Sequence, residues 1–334
     1  MFRGRTQCLH FIGIGGVGMS GIAEVLLNLQ YTVQGSDLCR NAACERLEAL
    51  GARVFEGHVA EYVAGADVVV ISSAVQADNV EVAEAYRRGI PVIHRSEMLA
   101  ELMRMKYGIG IAGTHGKTTT SSILAWILRE TGKNPSFLIG GWLKNFNSNY
   151  GYSNGDYFVV EGDEYDTAFF DKGPKFLHYR PYASILTGIE FDHADIYDNL
   201  EQIQTNFRKF VSIINPNGFL LVEDSKKNME TVLNAASCKV ETYGFSKDSD
   251  WRITDYSHLD GIGNFSLSYK KELIGKFALP MMGRHNVQNS SAIIAMGLKL
   301  GIDPNEMNNA LSKFKGVKRR QEIAGIKNGI IVID

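Results

Sequence analysis

Two glycine-rich turns constrain the fold of this chain more than any other feature of its sequence. The first, GIGGVG, occupies residues 13–18 after the apolar run CLHFI, and the second, GTHGKT, occupies residues 113–118 after YGIGIA. Apolar residues at helical spacing follow both turns. A short strand that enters a helix through glycines is typical of parallel α/β domains, and two such openings predict two of them.

The pattern of strands and helices places the domain boundaries. Strands alternate with helices up to about residue 104, and the alternation restarts at YGIGIAG. Residues 251–280 instead alternate between apolar and polar side chains and carry turn residues, which predicts antiparallel hairpins. The predicted fold is α/β, with a Rossmann-like parallel-sheet domain over residues 1–104 and a P-loop α/β domain over residues 105–322 that contains a small antiparallel β element. The final NGIIVID is strand-like, so we expect residues 323–334 to begin a third, truncated domain.

Charge and cysteine content exclude several classes of protein. The chain has 35 basic and 37 acidic residues and a net charge of -2, which favours neither a nucleic-acid partner nor a membrane surface. Its 4 cysteines form no C-x-x-C pair, so we expect reduced thiols rather than a zinc site or a disulfide framework. Glycines interrupt the apolar segment LHFIGIGG too early for a signal peptide or a membrane span. These features predict a soluble cytoplasmic protein.

The first glycine loop has the G-x-G-x-x-G pattern of dinucleotide-binding domains. Its glycines allow the backbone to approach a pyrophosphate at the N-terminus of a helix, and Asp37 ends the second strand, where a ribose-binding acid is expected. The pattern alone favours an NAD-dependent dehydrogenase, with a simple tight turn as the structural alternative. A second nucleotide loop downstream argues against a dehydrogenase, which does not need one.

The second loop is a short form of the phosphate-binding loop. The usual pattern is G-x-x-x-x-G-K-[ST], but here Ile111 stands five residues before Gly116, and only Gly113 to Thr118 remains. Lys117 is placed to meet the β- and γ-phosphates of ATP, and the Thr118 hydroxyl is placed to meet Mg²⁺. The sequence therefore predicts ATP and Mg²⁺ as ligands.

Polar groups that complete such a site follow in the sequence. Two acidic runs, EGDEYD at 161–166 and EFDHAD at 190–195, end predicted strands and are candidate metal ligands, although each alone is more typical of a solvated loop. Asn286, near the start of a helix, is suited to pair with adenine or to cap the helix. The basic run 318–320 is suited to meet a γ-phosphate, or is ordinary surface.

Taken together, these motifs resemble those of the Mur ligases along the whole chain. GIGGVGMSG, AGTHGKTTT, E-x-D-E-x-D, DHADIY, GRHNVQN and the pair Arg319-Arg320 occur in the order seen in that family. The resemblance implies a cytoplasmic, ATP-dependent enzyme that attaches an amino acid or a peptide to UDP-N-acetylmuramic acid in peptidoglycan synthesis. It also implies that the first domain binds the UDP part of the substrate, that the second binds ATP and that a third brings the amino acid.

The resemblance further implies a set of site residues. The residues implied to bind the UDP substrate are Gly13, Gly15, Gly16, Gly18, Met19, Ser20, Asp37 and Ser73. Those implied to bind ATP are Gly113, Thr114, His115, Gly116, Lys117, Thr118, Thr119, Asn286 and Asn289. Thr118, Glu161 and His193 are implied metal ligands, and Lys117, His193 and Arg320 are implied to be catalytic.

The added group is less well defined by the sequence. The N-terminal half, including HRSEMLAELMRMKYG, resembles the ligases that add L-alanine, whereas EGDEYDTAFFDKGPKFLHYRP resembles the recycling ligases that add L-Ala-γ-D-Glu-meso-diaminopimelate. We favour L-alanine and keep the tripeptide as the alternative. A UDP-sugar-binding module without catalysis is the alternative from another class of protein.

Overall fold

The protein is described by a computed structural model that covers residues 6–76, 78–162, 166–168, 171–191, 197, 199–225, 228–320, 323–327 and 330–333. The chain divides into two compact units. Unit 1 comprises Met1–Met105 and Tyr165–Tyr179, and unit 2 comprises Lys106–Glu164 and Arg180–Asp334.

The described residues form both strands and helices. The strands are β1 (Cys8–Ile12), β2 (Thr32–Asp37), β3 (Arg53–Glu56), β4 (Val68–Ile71), β5 (Val92–His94), β6 (Tyr107–Ala112), β7 (Ser136–Leu143), β8 (Ser148–Gly151), β9 (Tyr157–Glu161), β10 (Asp166–Ala168), β11 (Asp171–Pro174), β12 (Ala183–Leu186), β13 (Phe219–Glu223), β14 (Lys239–Gly244), β15 (Trp251–Leu259), β16 (Ile262–Tyr269), β17 (Glu272–Leu279), β18 (Ile323–Lys327) and β19 (Ile330–Ile333). The α-helices are α1 (Val17–Asn28), α2 (Ala42–Ala49), α3 (Val80–Arg87), α4 (Arg95–Met103), α5 (Lys117–Glu130), α6 (Leu200–Ser212), α7 (Glu230–Leu233), α8 (Arg284–Lys299) and α9 (Pro304–Ser312). Short 3₁₀ helices cover Ala60–Val63 and Lys175–His178.

Unit 1 is built on a parallel sheet of five strands in the order β3-β2-β1-β4-β5. Leu9, Phe11 and Ile12 of β1 and all of β4 are buried, as expected for central strands with helices on both faces of the sheet. The strand order reverses between β1 and β4, and ligands of open parallel sheets bind beside the carboxyl ends of strands at such a reversal. This arrangement confirms the Rossmann-like fold predicted for the N-terminal part of the chain.

Unit 2 contains a sheet of ten strands in the order β17-β16-β15-β14-β13-β12-β6-β9-β7-β8. Neighbouring strands from β15 to β7 in this order are parallel, while β8, β16 and β17 pair antiparallel with their neighbours. Helices α5 and α8 pack together against this sheet, with the apolar side chains of Ile123, Leu124 and Ile293 fully buried. The predicted P-loop α/β fold and its antiparallel element are therefore confirmed, and β15–β17 extend the main sheet.

Two further sheets are small. β10 and β11 form an antiparallel pair in unit 1, and β18 and β19 form another near the end of the chain. Across the described residues, no helix combines the length and the apolar character needed to cross a membrane.

Candidate functional site

The first glycine loop lies between β1 and α1 and is held in place by the end of β2. The backbone N–H groups of Gly13 and Ile14 donate to the Ser36 carbonyl oxygen at 2.8 and 2.9 Å. The Gly15 N–H donates to Oδ2 of Asp37 at 2.8 Å. Asp37, predicted as a ribose ligand, therefore supports the loop through its carboxylate.

A cavity of about 710 Å³ in unit 1 opens beside this loop. Its wall includes most of the residues implied to bind the UDP substrate, namely Gly13, Gly15, Gly16, Gly18, Met19 and Asp37. Ser72 and Ala74, on either side of the predicted Ser73, also line it, and the predicted Ser20 is buried with its hydroxyl donating to the Val17 carbonyl oxygen at 3.3 Å.

The same cavity contains polar side chains that were not predicted from the sequence. They include Asn41, His58, Gln76, Asp78, Asn79 and Arg95. A methyl group at Gly18 would overlap the guanidinium of Arg95, so glycine at this position allows the cation to approach the loop. The cavity thus combines a glycine loop at the N-terminus of α1 with the cationic side chain of Arg95, which suits a diphosphate.

The second glycine loop connects β6 to α5. Gly113 and Gly116 have φ angles of 127° and 81°, in the left-handed region that favours glycine. Thr114 anchors the loop to the chain after β12, because its hydroxyl accepts from the Glu190 N–H at 2.9 Å and donates to the Glu190 carbonyl at 3.2 Å. Nζ of Lys117 folds over the loop and donates to the carbonyl oxygens of Gly113 and Thr114 at 2.7 and 3.1 Å. The lysine of the short loop is therefore held against carbonyl oxygens of the loop itself.

Two of the predicted metal ligands are in contact. The Thr118 hydroxyl donates to Oε1 of Glu161 at 2.8 Å, and Oε2 of the same carboxylate accepts from the Gly140 N–H at 2.8 Å. Mg²⁺ in nucleotide sites commonly takes one or two carboxylates together with hydroxyl, phosphate and water oxygens, and this pair fits that requirement. Within the described ranges there is no group of three or more His, Cys, Asp or Glu side chains suited to hold a metal. His193 and the neighbouring acids 192 and 195 lie outside the described residues, as do 163 and 164.

A second cavity, of about 840 Å³, extends from the second loop to α8. Thr114, His115, Gly116 and Asn289, all predicted ATP ligands, contribute to its wall. Asn286 is 3% exposed at the start of α8, and its side-chain amide donates to the Met282 carbonyl at 2.7 Å. Thr119 is buried in the first turn of α5.

The wall of this second cavity also contains side chains that sequence reasoning missed. They include His285 and Gln288 on α8, Glu223 at the end of β13 and the half-exposed ring of Phe191. The Gln288 amide donates to Oε1 of Glu223 at 2.6 Å, and burial raises the pKa of that carboxyl. Positions 285, 288 and 289 have the i, i+3, i+4 spacing of one helix face, and this spacing was the available signal in GRHNVQN.

A third cavity, of about 570 Å³, lies beside Thr118 and includes the predicted Arg320. The loop that carries Arg319 and Arg320 is attached to β7, because the Lys318 N–H donates to the Trp142 carbonyl at 3.0 Å and the Lys318 ammonium lies 5.3 Å from the Trp142 ring centroid. Arg320 itself is exposed. The basic run predicted for the γ-phosphate is therefore close to the hydroxyl predicted for the metal.

The amino-acid sequence matches two family models, the catalytic domain of the Mur ligase family over residues 9–107 and the Mur ligase middle domain over residues 111–297. A UDP-N-acetylmuramate–L-alanine ligase from Geotalea uraniireducens is 44% identical over 331 residues, which make up 99% of this chain and 71% of that protein.

Solved structures of two Mur ligases are similar to most of the chain. A UDP-N-acetylmuramate:L-alanyl-γ-D-glutamyl-meso-diaminopimelate ligase from Neisseria meningitides has a TM-score of 0.84 and 35% identity, and the match covers 94% of this chain and 99% of that one. A UDP-N-acetylmuramate-alanine ligase from Thermotoga maritima has a TM-score of 0.77 and 28% identity, with coverage of 98% and 73%. The resemblance predicted from the motifs is confirmed, and the chain belongs to the Mur ligase family of ATP-dependent ligases.

Proposed function

We propose that this protein joins L-alanine to the carboxylate of UDP-N-acetylmuramic acid at the expense of ATP, in the cytoplasm. The observation that carries the proposal is the contact of Thr118 with Glu161 directly after Lys117, which gathers phosphate and metal ligands at one helix start. The choice of L-alanine is supported by the name of the Geotalea relative, which is 44% identical over 99% of the chain.

The cavity of unit 1 would bind the UDP part of the acceptor. The N-terminus of α1 and the Arg95 guanidinium suit the diphosphate, and Asp37 keeps the glycine loop in the required shape. Ser20 and Ser73 remain predicted contributors. We assign residues 1–104 to this UDP-binding domain, 105–322 to the ATP-binding domain and 323–334 to the beginning of a third domain.

ATP would occupy the cavities of unit 2. Lys117 and the loop N–H groups would hold the phosphates, and Asn289 in the cavity wall would bind the adenine, with Asn286 kept as a predicted contributor. Thr118 with Glu161 would hold Mg²⁺, and His193 is proposed as a ligand of a second ion. When bound, Mg²⁺ reduces the negative charge on the phosphate oxygens and orients them.

The proposed reaction has two steps. A carboxylate oxygen of the muramoyl group attacks the γ-phosphorus of ATP, the bond from that phosphorus to the β,γ-bridging oxygen breaks, and an acyl phosphate and ADP form. The amine of L-alanine then attacks the acyl carbon, the bond to the phosphate oxygen breaks, and phosphate leaves as the nitrogen loses a proton. Lys117 and Arg320 offset the repulsion between carboxylate and triphosphate in the first step.

An ADP-release assay tests the proposal. We expect ADP formation that requires both UDP-N-acetylmuramic acid and L-alanine. The assay uses the protein with any residues that its gene encodes after Asp334, since the chain spans 71% of the length of the Geotalea relative. Binding of the UDP-sugar without ADP formation under these conditions would instead indicate a binding module.

The tripeptide is the second candidate for the added group. It is favoured by the comparison with the Neisseria protein, whose name identifies it as a ligase of that tripeptide. The structure of the Neisseria protein has a higher TM-score than the Thermotoga structure. Parallel assays with L-alanine and with L-Ala-γ-D-Glu-meso-diaminopimelate decide between them, because the preferred amine gives the larger kcat/KM.

A further inference from the structure

A buried carboxylate lies beneath the cavity of unit 1. Glu81, on α3, has no exposed surface and accepts three hydrogen bonds, from Nε2 of His10 at 2.5 Å, from Oγ of Ser36 at 2.7 Å and from Nδ1 of His58 at 2.7 Å. Burial alone would raise the pKa of Glu81, but the hydrogen bonds from His10 and Ser36 outweigh it and keep that pKa below its usual value. Glu81 is therefore an anion in the interior of the unit.

This cluster is connected to the nucleotide cavity through His58. The His58 side chain is 20% exposed and forms part of the cavity wall. Its Nδ1 is used by Glu81 and lies 3.1 Å from the Ser36 hydroxyl, so Nε2 is the ring nitrogen that remains for a ligand. Ser36 also holds the glycine loop through its carbonyl oxygen. Ser36 therefore contacts both the Glu81 carboxylate and the first glycine loop.

Stability alone gives a poor account of the cluster. A buried charge carries a desolvation cost that well-packed apolar side chains would avoid. His10, which is fully buried, also has an Nδ1 atom with no hydrogen-bond partner, and an unsatisfied buried polar atom is a further cost. A role in ligand binding accounts for retaining three costly polar side chains below a cavity.

We propose that Glu81 is a positioning residue of the uridine-nucleotide site, which holds His58 so that its Nε2 atom meets the diphosphate of the ligand. This inference rests on the proposed UDP-binding function of unit 1. With Nδ1–H donated to the carboxylate, the ring is fixed in one orientation. The Nε2 atom is then the part of the ring that can meet a polar group of the ligand in the cavity, and the Glu81 carboxylate keeps the ring in that position.

Calorimetric titration with UDP, and ligand-observed NMR titration with uridine, test the role of Glu81. We expect Glu81→Gln and His58→Gln each to weaken UDP binding about tenfold, the usual effect of losing a hydrogen bond to a charged group. Uridine lacks the diphosphate, and its affinity is expected to stay within twofold of the wild-type value. Because Glu81 acts through His58, the double variant should bind UDP no more weakly than His58→Gln alone.

Glu84→Gln is the matched control. Glu84 lies one turn further along α3 and pairs with Arg87 and Arg88, so this variant makes the same chemical change on the same helix without touching the cluster. Its UDP affinity should equal that of the wild type.

The outcomes are distinguishable. Failure of the wild-type protein to bind UDP overturns the proposed function. Wild-type binding that His58→Gln leaves unchanged overturns the inference alone, and this variant decides the matter even if Glu81→Gln does not fold. Equal losses of UDP and uridine affinity would also overturn it, because they would show a merely structural role.

Discussion

Each of the two glycine loops connects a parallel strand to a helix, but the two loops differ in their side chains. In unit 1 the loop after β1 carries no lysine, and its N–H groups are oriented by the Asp37 carboxylate and the Ser36 carbonyl. In unit 2 the loop after β6 contributes Lys117, and the next residue places a hydroxyl on Glu161. A strand, glycines and a helix suffice to bind a phosphate group, whereas a loop that promotes a reaction of the phosphate needs added charge and metal ligands.

Lys117→Ala tests this difference with the largest expected effect. Removal of the ammonium leaves the repulsion between carboxylate and triphosphate uncompensated, and we expect ADP formation to fall by a factor on the order of 1000 or more. The affinity for UDP-N-acetylmuramic acid should stay within twofold of the wild-type value, since its proposed site is in unit 1. The two quantities are measured by ADP release and by calorimetry.

Lys133→Ala is the control for that change. Lys133 follows the C-terminal end of α5, the helix that Lys117 begins, and its loss should leave turnover unchanged. A simultaneous loss of UDP-sugar binding in Lys117→Ala would contradict the assignment of the two loops to separate functions.

Glycine substitutions compare the backbones of the two loops. Gly113 has a φ of 127°, and a methyl group there would lie 2.9 Å from the Gly188 carbonyl oxygen. At Gly16, with a φ of -64°, the methyl group would lie 3.3 Å from the Gly13 carbonyl oxygen. We expect Gly113→Ala to lower the free energy of unfolding by about 2 kcal/mol and Gly16→Ala to lower it by less than about 1 kcal/mol, because only the first adopts a disfavoured backbone conformation. Urea unfolding measures both, and equal losses would show that the left-handed backbone at Gly113 adds no cost to the alanine substitution.

Much of this comparison could be predicted from the sequence, because the determinants are local. A glycine loop, the strand before it and the helix after it are adjacent in the chain, so GIGGVG and GTHGKT predicted both folds and most of the loop residues. Glu161 was predicted for a related reason, since it ends an apolar strand and parallel strands end at one edge of the sheet.

Residues that depend on distant contacts were not predicted. His10 and Glu81 are 71 positions apart, and Gln288 and Glu223 are 65 apart. Each pair is created by the register of strands and the packing of a helix, and no short motif encodes either. Asp37 shows a subtler limit, because its position at the end of β2 was predicted whereas its hydrogen bond to the Gly15 N–H was not.

Glu161→Gln tests the proposed metal site beside the second loop, which has no counterpart in our description of the first loop. The amide keeps the size of the side chain and can still accept from the Gly140 N–H, but it is a weaker ligand for a hard divalent cation. We expect the Mg²⁺ concentration for half-maximal ADP formation to rise about tenfold, because one charged ligand is lost. Glu130→Gln, an exposed change at the end of α5, is the control. An unchanged Mg²⁺ requirement in Glu161→Gln would remove this residue from the metal site.

A small effect is expected for Glu241, a buried carboxylate of unit 2. Unlike Glu81, it contacts no side chain among the described residues that lines one of the three cavities described above. Glu241 is 3% exposed and accepts hydrogen bonds from Trp251 and Tyr269. It also forms ion pairs with Lys239 and Lys299. Burial alone would raise the pKa of Glu241, but the two lysines and the tryptophan outweigh it and lower that pKa to about 2.

The direction of the pH dependence follows from that lowered pKa. A carboxyl whose pKa is lower in the folded state stabilises the fold above its unfolded value of 4.5, and the contribution is lost as the pH falls from 4.5 towards 2. Because Lys239 is 60% exposed and its charge is screened by solvent, we expect Glu241→Gln to cost only about 1 kcal/mol at pH 7. The difference between wild type and variant in urea unfolding should then shrink between pH 4.5 and pH 3, while the exposed control Glu272→Gln shows no such change. A difference that stays constant with pH would mean that Glu241 stabilises the fold through packing rather than through its charge. Glu241 and Glu81 would then differ in two respects, because Glu81 is proposed to act as an anion that positions a ligand-binding side chain.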